Sequence, residues 1–223
     1  MSKRNDFSIT NDMKTYLDKV LKANQSINLT RVTDIDQAIL LHLEDSLAVS
    51  EEFSKAPDGL YADLGSGGGF PGVPLALSFT RKTLLVDSVK KKMTAVSNIL
   101  AEMNLSNLIE TYDGRIEELA QERPKAFSVL TARALTSLPS LLELASPLLQ
   151  QEGILIALKS KEEDDFDNVS LENKLGMRKV NKRSYHLSDG VTYRTVYTFE
   201  KYKDTEVKLP RRLGMAQKRP YLQ

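Results

Sequence analysis

The amino-acid sequence predicts an α/β fold: a doubly wound, mostly parallel sheet, preceded by a helical extension and closed by an antiparallel hairpin. Short apolar runs alternate with helical patterns through the middle of the chain, which is typical of right-handed βαβ crossovers. A glycine-rich turn follows the first of these runs. Near the end, two segments rich in β-branched and aromatic residues flank Ser188-Asp189-Gly190, which indicates a hairpin.

Residues 1–56 are predicted to form the helical extension. The apolar residues of its first part recur with helical spacing, at Ile9, Met13, Tyr16, Leu17, Val20 and Leu21. A second helix is predicted to start at Asp34, because Asp34 and Gln37 have the spacing of a capping box. The turn signal Pro57-Asp58-Gly59 ends this part, and we expect the sheet domain over residues 57–205.

The sheet domain contains five runs that are candidates for parallel strands. They lie at residues 60–64, 83–87, 108–112, 127–131 and 153–158. Helical patterns occupy residues 90–103 and 137–149, and Pro147 should kink or end the second helix. The hairpin strands are predicted over residues 177–187 and 191–200, and residues 206–223 are expected to form a basic tail.

The composition excludes several classes of protein. The chain has 223 residues and a hydrophobic share of 41%, which fits a globular protein rather than a disordered one. Because it contains no cysteine, disulfide scaffolds, cysteine-ligated zinc, thiolate nucleophiles and iron–sulfur clusters are excluded. With only His42 and His186, no metal site is expected. The absence of an export signal, and of an apolar run near the roughly 20 residues of a spanning helix, predicts a cytoplasmic protein without membrane contact.

The net charge of +1 hides an uneven distribution. Residues 34–63 contain eight acids and one base, whereas residues 208–223 contain five bases and no acid. A second group of bases, Arg178, Lys179, Lys182 and Arg183, lies on the predicted hairpin. Either basic cluster is a candidate nucleic-acid surface or a solvated face, and the neutral sum does not argue against an RNA partner.

The glycine-rich segment 65–72 follows the first predicted strand, where ligands of doubly wound sheets bind. It is not a phosphate-binding P-loop, because Gly69 is followed by Phe70 and Pro71 rather than by Lys and Ser or Thr. The dinucleotide fingerprint would need glycine in place of Phe70. The serine elbow would need glycine in place of Leu64, so Ser66 is not expected to be a nucleophile.

Three features remain: Asp63 near the end of the first strand, the glycines Gly65, Gly67 and Gly69, and Asp87 at the end of the second strand. Together they resemble the S-adenosylmethionine site of class I methyltransferases. In such a site Asp87 would accept hydrogen bonds from both ribose hydroxyls. Asp63 would face the methionine ammonium, a charge that a dinucleotide lacks.

A longer resemblance is carried by residues 63–76, which read DLGSGGGFPGVPLA. This string is similar to the hallmark of the glucose-inhibited division protein B family, the bacterial small-subunit ribosomal RNA methyltransferase G. Further matching pieces are NLT at 28–30, HLEDSL at 42–47, GRIEE at 114–118, TARA at 131–134 and PRRLG at 210–214. The resemblance covers nearly the whole chain.

The resemblance implies a Rossmann-like class I methyltransferase fold with a mostly parallel seven-stranded sheet. It also implies methylation of guanine N7 in 16S ribosomal RNA, in the 530 loop of the decoding region, with S-adenosyl-L-methionine as donor. The cofactor contacts that it implies are Asp63, Gly65, Gly67, Gly69, Phe70, Asp87, Ile116, Glu117 and Arg133. Candidate RNA-binding residues are Arg133, Lys159, Arg211 and Arg212. We expect a monomer that acts on ribosomal RNA or on the small ribosomal subunit.

Guanine N7 already presents a lone pair, so the predicted reaction needs no general base and no catalytic residue is assigned. His42 is expected to be structural. Three alternatives stay open at this point. The first is a methyltransferase that acts on another RNA, on a small molecule or on a protein. The second is a nicotinamide-dependent oxidoreductase, and the third is a noncatalytic RNA-binding protein. Binding of S-adenosylmethionine or of NADH separates the methyltransferases from the oxidoreductase.

Overall fold

The computed structural model describes residues 8–160 and 168–221. The start of the predicted helical extension and the last two residues of the predicted tail lie outside this range. Ten α-helices are found in the described residues: α1 (Asn11–Ile27), α2 (Ile35–Ala38), α3 (Asp45–Leu47), α4 (Ser50–Ser54), α5 (Gly72–Phe79), α6 (Lys90–Glu102), α7 (Ile116–Glu122), α8 (Leu138–Ala145), α9 (Val169–Leu175) and α10 (Met215–Lys218). A π-helical segment, Ile39–Glu44, connects α2 to α3.

Seven strands form one sheet: β1 (Leu60–Leu64), β2 (Thr83–Val86), β3 (Ile109–Tyr112), β4 (Phe127–Arg133), β5 (Leu149–Lys159), β6 (Met177–His186) and β7 (Tyr193–Lys201). Their order across the sheet is β3-β2-β1-β4-β5-β7-β6. The first five strands are parallel, and β7 pairs antiparallel with both β5 and β6. The predicted fold class is confirmed, including the seven strands and the hairpin.

The order of the strands reverses at β1, which lies between β2 and β4. The loops after β1 and β4 therefore diverge to opposite sides and leave a crevice beyond the carboxyl end of the sheet. Asp63 pairs in register with Thr131, so the end of β1 and the end of β4 reach the same edge. This crevice is the place where the sequence predicts a ligand.

Both faces of the sheet are covered. Apolar side chains that alternate along β1 pack in opposite directions: Ala62 and Leu64 belong to the core beneath α7, α8 and α9, and Tyr61 to the core with α4 and α5. Helix α1 buries Met13, Tyr16, Leu17 and Val20 against α5 and α6. The N-terminal helices thus share a core with the sheet domain.

Two predicted helix boundaries, the start of α2 and the end of α8, agree with the observed ones. Asp34 is the N-cap of α2, and its side chain accepts a hydrogen bond from Gln37 N at 2.9 Å, as the capping spacing predicts. Helix α8 ends at Ala145, two residues before Pro147, which confirms the expected end. No helix in 8–160 or 168–221 has the length and apolar character that crossing a membrane requires.

Candidate active site

The glycine loop joins β1 to α5 and is fixed by backbone hydrogen bonds to β2. Both Gly65 N and Ser66 N donate to Val86 O, at 2.8 and 3.0 Å. Gly65, Gly67 and Gly69 have φ values of +73°, +56° and +87°, a backbone region that residues with a side chain rarely adopt. The glycines are therefore needed for the backbone path itself.

Asp87 lies immediately after β2 and holds the loop from one side. Its Oδ2 accepts a hydrogen bond from Gly67 N at 3.1 Å, and its Oδ1 accepts one from Val89 N at 2.9 Å. The carboxylate is half-buried and faces a pocket of about 90 Å³. Other residues lining this first pocket are Gly65, Val86, Ser88, Gly114, Arg115, Ile116, Glu117, Leu135 and Gln217.

Four predicted cofactor residues therefore lie around one pocket: Gly65, Asp87, Ile116 and Glu117. Ile116 supplies an apolar wall, Asp87 supplies acceptor oxygens, and Gly65 contributes backbone without a side chain. These residues fit the adenosine part of S-adenosylmethionine. Its ribose hydroxyls can donate hydrogen bonds to Asp87, and its base has an apolar face that can pack on Ile116. Among the described residues, no group of three or more His, Cys, Asp or Glu side chains could hold a metal ion.

Asp63 lies at the end of β1, beneath the glycine loop. Its carboxylate is fully buried beneath the loop, where it accepts hydrogen bonds from Gly72 N at 3.0 Å and Thr131 Oγ1 at 2.7 Å. Burial raises the pKa of Asp63 to about 6, although both hydrogen bonds oppose the rise. In this structure Asp63 supports the loop, and its contact with the donor's ammonium stays a prediction.

Gly69 and Phe70 also lie beneath the loop surface rather than in the first pocket. A Cβ at Gly69 would lie 2.3 Å from the Tyr16 hydroxyl, which itself donates to Gly68 O at 2.9 Å. The Phe70 ring is buried and stacks on His42, with 4.7 Å between ring centroids and 10° between planes. Both residues join the loop to the N-terminal helices.

His42 is held as a neutral imidazole. Arg133 approaches its Nδ1 at 3.4 Å, so Nδ1 must accept, and Nε2 then donates to Thr30 Oγ1 at 2.8 Å. Burial lowers the pKa of His42 to about 4, and the charge of Arg133 adds to this effect. Both ring nitrogens are engaged, which supports the structural role predicted for His42.

Arg133, at the end of β4, is oriented by a buried carboxylate. Its guanidinium donates to Asp45 Oδ2 at 3.1 Å and to Leu41 O at 2.6 Å. Arg194 on β7 donates to the same carboxylate at 3.1 Å, and the Asp45 side chain is fully buried between the two cations. Sequence reasoning missed Arg194, since its only signal is a basic residue in a hairpin strand.

A second, larger pocket of about 550 Å³ opens beside these arginines. Ala134 lines this second pocket and the next residue, Leu135, lines the first, so the two adjoin at the end of β4. Basic residues around the second pocket outnumber its single acid, and they are Arg31, Arg133, Lys159 and Arg194. The predicted Lys159 lies here with its Nζ donating to Thr136 O.

The two tail arginines have different environments. The Arg211 guanidinium donates to both carboxylate oxygens of Glu143, each at 2.5 Å, and its side chain is only 20% exposed. Glu143 neutralises Arg211 in this structure, and the contact of Arg211 with RNA phosphates stays a prediction. Arg212 is exposed and stays a predicted RNA contact.

Comparison with known proteins places the chain in a family. The family model for rRNA small subunit methyltransferase G (GidB) matches residues 9–190. The ribosomal RNA small subunit methyltransferase G of Lactobacillus acidophilus is 34% identical over 215 residues, which cover 93% of this chain and 89% of that protein. The protein of the same name from Streptococcus thermophilus is 33% identical over 211 residues, covering 92% of this chain and 88% of its own length.

Solved structures of low sequence identity share the fold. The precorrin-6y C5,15-methyltransferase of Geobacter metallireducens superposes with a TM-score of 0.53 at 9% identity, covering 70% of this chain and 87% of that one. P. horikoshii TYW2, solved in complex with MeSAdo, gives 0.54 at 10% identity, covering 72% and 63%. The [4+2]-cyclase SpnF gives 0.56 at 12% identity over 70% of this chain and 80% of its own, so the fold alone does not define the reaction. The sequence relationships do define the family: the chain belongs to the rRNA small subunit methyltransferase G family.

Proposed function

We propose that this protein transfers a methyl group from S-adenosyl-L-methionine to N7 of a guanine in small-subunit ribosomal RNA. The target that we propose is a guanine in the 530 loop of 16S RNA. The observation that carries the proposal is the adjacency of two pockets at the carboxyl end of the sheet, joined at Ala134 and Leu135. One presents acceptor oxygens and an apolar wall, and the other presents cations. Family membership supplies the class of reaction and substrate.

The first pocket is suited to hold the donor. Asp87 accepts hydrogen bonds from the ribose hydroxyls, and Ile116 packs on the adenine face. Gly65 has no side chain, so its backbone permits close approach of the donor. A Cβ there would also lie 2.7 Å from Leu135 Cδ1. When bound, the donor supplies an electrophilic methyl group on a positively charged sulfur. The protein's task is to hold that end of the donor toward the second pocket.

Alignment is the main catalytic contribution that the site can make. The N7 lone pair lies in the plane of the guanine ring and carries no proton, so no side chain has to remove one. Holding the reacting groups at a near-attack distance supplies up to roughly 7–11 kcal/mol in well-oriented systems. His42, which has both nitrogens engaged, is consistent with a site that positions groups rather than one that transfers protons.

The cations of the second pocket are suited to phosphates around the target base. Arg31 is exposed at its rim, and Arg133 is fixed through Asp45, so charge and orientation are set before RNA arrives. An arginine that read guanine through O6 and N7 would cover the atom to be methylated. We therefore assign Arg31, Arg133 and Lys159 to the RNA backbone or the donor's carboxylate, and not to N7.

Two measurements test the assignment against its alternatives. Calorimetry should detect binding of S-adenosylmethionine and none of NADH, whereas the reverse result would indicate an oxidoreductase. With a methyl-labelled donor, label should enter RNA of the small subunit purified from cells that lack this protein. Label that instead appears only in protein or in small molecules would contradict the RNA substrate while leaving the donor in place.

A further inference from the structure

The C-terminal segment 206–221 is docked on the sheet domain. Val207 and Leu209 pack against the core beneath α7, α8 and α9, and Ala216 is buried in the same core. Helix α10 contacts α8. The basic residues of this segment therefore belong to a structured element, in contrast to the solvated tail that composition predicts.

Arg211 and Glu143 anchor the segment. The Glu143 side chain on α8 is 2% exposed, and Arg211 pairs with both of its oxygens at 2.5 Å. The same guanidinium donates to Arg219 O at 2.7 Å and lies 4.2 Å from the centre of the Tyr221 ring. One ion pair thus ties together the two ends of the turn that contains α10.

The middle of that turn reaches the first pocket. Gly214 N donates to Glu117 Oε1 at 2.7 Å, and Glu117 is one of the residues predicted to hold the donor. Gly214, with φ +73°, is the N-cap of α10, and Gln217 of that helix lines the first pocket together with Asp87. Ile116 and Glu117, which line the same pocket, are the residues assigned to adenine.

We propose that segment 206–221 forms part of the adenosine pocket, with Gln217 as a contact of the donor and Arg211 as a positioning residue that acts through Glu143. The inference rests on the proposed function, because it assigns the first pocket to the donor's adenosine. Loss of the Arg211–Glu143 pair frees the turn, which removes Gln217 from the first pocket and uncouples Glu117 from Gly214. The second pocket is lined by other parts of the chain and keeps its structure.

The test is calorimetry on the full-length protein with two ligands, S-adenosylhomocysteine and 5′-methylthioadenosine. Both carry adenosine, but only the first carries the amino-acid end. Gln217→Ala should raise Kd for both ligands by the same factor, about three- to tenfold, as expected for one lost hydrogen bond. Arg211→Ala should raise both by at least as much, and Arg211→Lys should retain part of the affinity because it keeps the charge. In turnover, KM for the donor should rise while kcat at saturating donor stays near the wild-type value.

Lys208→Ala is the matched control, because Lys208 is an exposed cation of the same segment. It should leave both Kd values unchanged. Gln217 is also exposed, so its substitution tests the contact even where Arg211→Ala lowers the melting temperature. Wild-type Kd values in both Gln217→Ala and Arg211→Ala would overturn the inference, and so would a loss confined to S-adenosylhomocysteine. Failure of the wild-type protein to bind either ligand would overturn the proposed function as well.

Discussion

The carboxylate of Asp63 accepts a hydrogen bond from the backbone N–H of Gly72 at 3.0 Å, and this contact closes the glycine loop. It connects the penultimate residue of β1 to the first residue of α5. A Cβ at Gly72 would lie 2.2 Å from Leu85 Cδ2 and 3.0 Å from Asp63 Cβ. The close approach of loop and sheet therefore depends on the missing side chain.

Gly72→Ala should destabilise the protein by about 1–3 kcal/mol, the usual cost of an extra methyl group in a packed core. Leu85 is fully buried and has little room to move. Gly68→Ala is the control in the same loop, since its Cβ would meet Val20 Cγ1 at an ordinary 3.4 Å. Urea denaturation of both variants measures the difference, and equal costs would contradict this account of the loop.

Asp45→Ala should cost about 3–5 kcal/mol of unfolding free energy. The substitution leaves Arg133 and Arg194 facing each other without the fully buried carboxylate that neutralises them. Asp36→Ala removes an exposed acid from a nearby helix and should cost less than about 1 kcal/mol. A loss for Asp45→Ala as small as that of the control would show that the two arginines find other partners.

His42 should make the protein less stable as the pH falls. Its pKa is about 4 in the folded state against 6.5 in the unfolded chain, so the unfolded state binds the proton more tightly between these values. The contribution of neutral His42 to the free energy of unfolding is fully present above pH 6.5 and decreases as the pH falls toward 4. His42→Phe keeps a ring over Phe70 but does not titrate. The free energy of unfolding of the wild-type protein, relative to that of His42→Phe, should therefore fall by about 2 kcal/mol between pH 7 and pH 5. A pH-independent difference would contradict the neutral, buried imidazole.

Asp87→Ala should weaken binding of S-adenosylhomocysteine by about 10- to 100-fold, the effect of losing charge-assisted hydrogen bonds. The ribose loses its acceptors, and Gly67 and Val89 lose the partners of their backbone N–H groups. Asp113→Ala removes an exposed acid beyond the end of β3 and should leave Kd unchanged. Calorimetry compares the two, and unchanged affinity in Asp87→Ala would remove the ribose assignment.

Features that depend on local pattern could be predicted from the sequence. The bounds of β1 agree with the predicted 60–64, and α6 begins at Lys90 as its apolar spacing indicates. The glycine loop and Asp87 could be placed because the topology of a parallel sheet brings strand ends to one edge. Strand β5 begins at Leu149, four residues before the predicted start, because Gln151 and Glu152 are exposed and give no apolar signal.

Features that depend on distant partners could not be predicted. Arg194 and Asp45 are 149 residues apart in sequence, and only the hairpin's position beside β5 brings them together. Composition shows the charge of Arg211 but not its partner Glu143, which lies 68 residues earlier. Asp63 is conspicuous in the sequence, yet whether a strand-end acid faces the ligand or supports the loop depends on the side to which the backbone turns.

Transfer of a methyl group to guanine N7 is tested most directly by the position of the new methyl group in the RNA. Small subunits from cells that lack this protein are incubated with the protein and S-adenosylmethionine, and the RNA is cleaved chemically at N7-methylguanine. One new cleavage is expected in 16S RNA, within the 530 loop, and it should be absent with Asp87→Ala. Labelled RNA without cleavage at N7-methylguanine, or RNA without label, would contradict it.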